Sequence, residues 1–129
     1  MVAGFVSRNS RGHLMRKVFL LAAPLLLVLS VVGLASAKDF SGEIMDSACA
    51  KMGSHEGMMK GHPGIKDAKG CTLGCVKNGA KFVLYDESSK TVYQLDDQKK
   101  PMEFAGEKVT VSGTLDEGSN TIHVTDIKR

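Results

Sequence analysis

Lys81-Phe82-Val83-Leu84-Tyr85, then Asp86-Glu87-Ser88-Ser89-Lys90, then Thr91-Val92-Tyr93-Gln94-Leu95: two runs rich in β-branched and aromatic residues flank five polar ones, the pattern of a β-hairpin. Toward the C-terminus, Glu107–Leu115 alternates, with Val109, Val111 and Leu115 on one face and Lys108, Thr110 and Thr114 on the other, as a half-buried strand requires. Asp116-Glu117-Gly118-Ser119-Asn120 forms a second turn, and Thr121–Ile127 returns with Ile122 and Val124 inward. The alternation slips at Asp126 before Ile127, which predicts a bulge or the strand end. On the N-terminal side, Asp39–Met45 places Phe40 and Ile44 on one face. Asp96–Gly106, with Pro101 and no alternation, reads as a loop with one helical turn. Five short strands with an irregular link before the fourth predict an all-β domain, a small Greek-key barrel of the OB type. A β-sandwich fragment is the alternative. Closure matters because short open strands leave unpaired edges.

Residues 46–80, between strands one and two, differ in composition. They hold Cys49, Cys71 and Cys75, His55 and His62, and Met52, Met58 and Met59, with Met45 at the border. Seven glycines punctuate the segment. So long a connection is expected to be functional or to carry structure of its own. Short helices are expected after an Asp46 cap and over Thr72–Lys77, ending near Gly79. The insert is therefore partly helical and, in an OB barrel, occupies one of the usual binding loops.

Cys71 and Cys75 stand four residues apart, so on a helix both thiols share one face and can grip one soft ion. Cys49 and His55 supply a third and fourth ligand, a familiar zinc set. Met58, Met59 and His62 are additional ligands that favour Cu(I), for which thioether and thiolate are soft donors. The cofactor expected is thus Cu(I) or Zn(II). The alternative is a disulfide from Cys49 to Cys71 or Cys75 that staples the insert, leaves one thiol spare and needs no metal. On that reading the methionines pack against the barrel mouth. The domain then serves as an envelope module binding a small ligand or a protein partner.

Catalysis is not expected. The chain has no C-x-x-C redox motif, no C-x-x-C-H, no G-x-S-x-G and no phosphate-binding glycine loop. Cys49 with His55 lacks an orienting third group. Asp46, Asp96 and Asp97 suit caps and turns, and His123 reads as a surface residue on the last strand.

Three segments together resemble a set of small exported bacterial domains of unknown function: Asp39-Phe40-Ser41-Gly42-Glu43-Ile44-Met45-Asp46-Ser47-Ala48-Cys49, Cys71–Leu84 and Phe104–Leu115. The resemblance implies an OB-like barrel, export, and Cys49, Cys71 and Cys75 as a shared feature; it implies no activity. The closing strands also resemble bacterial periplasmic OB-fold proteins, which lack the Cys-rich insert.

Residues 1–37 read as a signal peptide. They contain no Asp or Glu, and Arg8, Arg11, Arg16 and Lys17 precede an apolar run from Val18 to Leu34. Ala35-Ser36-Ala37 supplies the small-x-small site that signal peptidase needs. Met15-Arg16-Lys17 would itself open a compact signal, so translation from Met1 or Met15 gives the same product. The exported domain is then residues 38–129, periplasmic or secreted. Left uncleaved, the leader would be the chain's only membrane contact, slightly short for a span. Of 17 Lys and Arg, four lie in the leader; the 13 left against 14 Asp and Glu give a net charge of −1. So nearly neutral a domain has no electrostatic footprint for nucleic acid. Mass spectrometry of the exported protein should find Lys38 as its first residue; recovery of only the full-length chain in membranes would contradict cleavage.

Overall fold

A computed structural model describes residues 36–129, so the leader up to Ala35 lies outside the described residues. Five strands form: β1 (Lys38–Asp46), β2 (Phe82–Asp86), β3 (Thr91–Leu95), β4 (Lys108–Asp116) and β5 (Thr121–Lys128). Between β1 and β2 the insert folds into three helices, α1 (Ser47–Met52), α2 (Glu56–Gly61) and α3 (Ala68–Lys77), and a 3₁₀ turn (Lys100–Phe104) precedes β4. The all-β expectation thus holds for the sheet, while the insert is more helical than expected. The helix expected over Thr72–Lys77 starts earlier because Asp67 caps it, accepting from the Gly70 amide at 2.6 Å. Gly57 and Gly61 hide α2 from any propensity reading. Among the described residues no helix is long and apolar enough to cross a membrane.

The strands run in the order β1-β2-β3-β5-β4, and β1 meets β4, so the sheet closes on itself. β1 is shared: Lys38–Glu43 pairs with β4 and Glu43–Asp46 with β2. At the handover sits Gly42, where an added Cβ would press on the Tyr85 carbonyl oxygen at 2.5 Å. A side chain there would prevent the strand from turning between its two partners. The sheet is mixed, because β3 and β5 run parallel over only two pairs, Gln94 with Thr121 and Leu95 with Ile122. That short seam leaves the ring uneven rather than a regular barrel.

The two polar turns share one construction. Asp86 accepts from the Ser89 hydroxyl at 2.7 Å, and Asp116 from the Ser119 hydroxyl at 2.8 Å. In both, the residue before the next strand, Lys90 or Asn120, is left-handed at φ 56° and 53°, which completes a tight reversal. The expected irregularity near Asp126 is a bulge: Ser112 faces Asp126 and Gly113 faces Val124, leaving Thr125 unpaired. Gly113 is needed there, because a Cβ would run into the His123 carbonyl. His123 is exposed and bonds Asp96 at 3.0 Å, as a surface histidine does.

Alternation divides the apolar residues between two cores. Ile44, Phe82, Leu84, Leu95, Val109, Val111, Ile122 and Ile127 fill the ring, with Phe40, Leu115 and Val124 against them. Met45, Val83 and Tyr85 point outward from the same strands and pack beneath the insert with Cys49, Ala50 and Cys71. β2 is therefore buried on both faces, which explains its unbroken run Phe82-Val83-Leu84-Tyr85. The insert packs over the outward side of these strands through Cys49, Ala50 and Cys71, while Leu73 and Val76 of α3 lie against the ring core. It is pinned at Gly106 (φ 72°), where a Cβ would meet the Lys69 amide nitrogen at 2.5 Å. Replacing Val111, fully buried in the ring, by Asp should cost about 3–5 kcal/mol, since it leaves a buried charge unpaired. Chemical denaturation measures this, and a variant as stable as the parent would refute the face assignment.

Candidate metal centre

The end of β1 builds the first half of the site. Asp46 closes the strand opposite Phe82 and caps α1, its Oδ1 accepting from the amides of Ala48 (3.0 Å) and Cys49 (2.9 Å). The cap holds the first turn of α1 over the carboxylate, and Cys49 sits in that turn. α3 supplies the other half. Its α-helical pitch puts Cys71 and Cys75 one turn apart on one face, as their spacing requires. Where the two helices meet, Sγ of Cys49 lies 3.6 Å from Sγ of Cys71.

Asp46, Cys49, Cys71 and Cys75 each offer one donor atom, and all four atoms lie within 4.8 Å of one another. Two thiolates on a tetrahedral zinc ion, each at about 2.3 Å, stand about 3.8 Å apart. The observed 3.6 Å between Cys49 and Cys71 is already close to that, and modest contraction brings in the other two donors. Forming a disulfide between the same thiols requires closure to about 2.05 Å.

Asp46, Cys49 and Cys71 are fully buried, and Cys75 is partly exposed. Three buried side-chain polar atoms among the described residues lack a partner: Asp46 Oδ2, His55 Nδ1 and Thr72 Oγ1. An uncompensated carboxylate oxygen in an apolar layer costs several kcal/mol. Burial, followed by the hydrogen bonds and charges of Asp46 and Cys71, pushes the Cys49 thiol far above the ordinary thiol range. Burial and then the charge of Asp46 also raise the Cys75 thiol. Without a cation Cys49 and Cys75 are held in the protonated form, which disfavours these two as nucleophiles. A cation at the centre reverses the balance, because thiolates and carboxylate then face a positive charge.

The structure thus brings Cys49, Cys71 and Cys75 together as the sequence led us to expect, and seats Asp46, not His55, as the fourth group. His55 lies beyond α1, where its Nε2 bonds Glu43 Oε1 at 2.9 Å. There it lines a separate cleft of about 780 Å³ with Tyr85, Lys108 and Arg129, so it pairs with no cysteine as a base. Met58 and Met59 pack into the outer core beside Cys75. Met58 and His62 also line a cleft of about 430 Å³ that reaches Cys75. Asp46 was legible as a helix cap. Its second role left no sequence signal, since a capping Asp three residues before a Cys is common chemistry for a helix start.

A family model described as a protein of unknown function (DUF5818) matches residues 74–129. The matched segment carries β2 to β5 and Cys75, while Asp46, Cys49 and Cys71 precede it. No curated protein and no solved structure matches the chain. Residues 74–129 are thus similar to a domain of unknown function, and Asp46, Cys49, Cys71 and Cys75 form a cluster of Asp and Cys residues that could hold a metal ion.

Proposed function

We propose that this is an exported domain that binds or buffers one soft metal ion, Zn(II) or Cu(I), at Cys49, Cys71, Cys75 and Asp46. One observation carries the reading: Asp46 is fully buried, its Oδ2 has no hydrogen-bond partner, and its carboxylate lies within 4.8 Å of three thiol sulfurs. A bound cation satisfies that oxygen and the thiolates together. The leader supports export. The strand order, with β1 shared between β2 and β4 and a parallel β3–β5 seam, supports an OB-like Greek-key barrel in which the insert rides on the outer face.

A second reading has its own observation. Cys49 and Cys71 are 3.6 Å apart, so oxidation could join them and leave Cys75 as the spare thiol of a stapled envelope module that binds a small ligand or a protein. Under that reading Asp46 Oδ2 keeps no partner, which is why we rank it second.

Calorimetry with elemental analysis on the reduced full-length protein should find one Zn(II) or Cu(I) per chain, because four donors fill one tetrahedral shell. Cys49→Ser, Cys71→Ser and Cys75→Ser should each weaken binding roughly 100-fold or more, the upper end of what losing a mere outer-shell partner costs. Asp46→Asn should weaken Zn(II) more than Cu(I), which binds well with thiolates alone. His55→Ala should leave both affinities near the parent's. Absence of binding by either ion, with one free thiol in the unreduced protein, would overturn the metal reading and favour the stapled module.

A further inference from the structure

Resting on the metal reading, the geometry points to a defined route for ion exchange: Met58 and His62 form a transient soft-metal site that passes the ion to and from Cys75. Cys49, Cys71 and Asp46 are sealed from solvent, and Cys75 alone of the four is partly exposed. The cleft of about 430 Å³ that reaches Cys75 has Met58, His62 and Ile65 in its walls. Through Cys75, this cleft opens the edge of the cluster to solvent on the insert side.

The two wall residues suit a way-station. Met58 lies in α2 and His62 is the residue that ends it, so they stand about one turn apart. Thioether and imidazole are neutral donors for a soft ion, weaker together than three thiolates. An ion held by them is therefore drawn inward. As its bond to Cys75 forms, a bond to Met58 or His62 breaks, and the thiol proton leaves to water. The oxidation state of the ion does not change, so no reductant or oxidant is needed. Met58 and Met59 both pack against the outer core, but of the two Met58 lines this cleft. Because thioether binds Cu(I) well and Zn(II) poorly, Met58 serves copper, whereas His62 serves both ions.

Stopped-flow transfer of Cu(I) or Zn(II) from a chromophoric chelator complex to the reduced full-length protein tests the route. Met58→Leu, which keeps the packing, should slow Cu(I) uptake about tenfold, the lower end of the effect of losing an auxiliary partner. It should leave Zn(II) uptake and both equilibrium affinities at the parent's values. His62→Gln should slow both ions. Parental Cu(I) rates in both variants would overturn the route. A fall in equilibrium affinity matching the fall in rate would also overturn it, by making Met58 a resident ligand. If the parent itself takes up neither ion, the metal reading fails first, and this inference fails with it.

Discussion

The carboxylate of Asp46 joins the three parts of this domain. Its residue ends β1, its Oδ1 starts α1 through two amide hydrogen bonds, and its Oδ2 is buried without a hydrogen-bond partner. A helix N-cap is worth about 1 kcal/mol, well below the cost of stranding a carboxylate oxygen away from water. The cap alone therefore does not account for an Asp in this place, where Ser or Thr would cap without a buried charge. A cation shared with three thiolates does account for it. Ion binding and the start of the insert are then coupled, because the same carboxylate serves both.

Such coupling, if the proposed ion binds, would help hold an insert with few core residues. It covers the outward face of β1 and β2, burying Met45, Val83 and Tyr85 beneath α1 and α3. Among its remaining packed residues are Met58 and Met59, flexible side chains that pack adaptably but specify a structure weakly. For a domain of this size, a small second core of that kind often needs a metal or a disulfide to hold it. Either proposed state of the cysteines ties α1 to α3 across this core. Only the metal state also neutralises Asp46.

Most of the sheet was legible because period-2 alternation responds directly to burial. The hairpin at Asp86–Lys90, the second turn at Asp116–Asn120 and the bulge near Asp126 all left local signals. The run Phe82–Tyr85 also announced burial on both faces, but sequence alone could not say what covers the outer side. The cysteine trio was readable from helical spacing and composition, and its convergence is what the structure adds. His55 was misplaced because ligand spacing along the chain says nothing of which side of α1 the following loop takes. Here the loop folds toward Glu43, and a carboxylate–imidazole pair at 2.9 Å holds it there. Asp46 was not read as part of the cysteine cluster because a capping role already explained it.

X-ray absorption at the zinc edge of the Zn(II)-loaded protein addresses the central claim directly, because it counts donor types around the ion. The account predicts about three sulfur neighbours at about 2.3 Å and one oxygen at about 2.0 Å, with the oxygen lost or replaced in Asp46→Asn. A shell made mainly of nitrogen and oxygen, or one unchanged by Asp46→Asn, would contradict it.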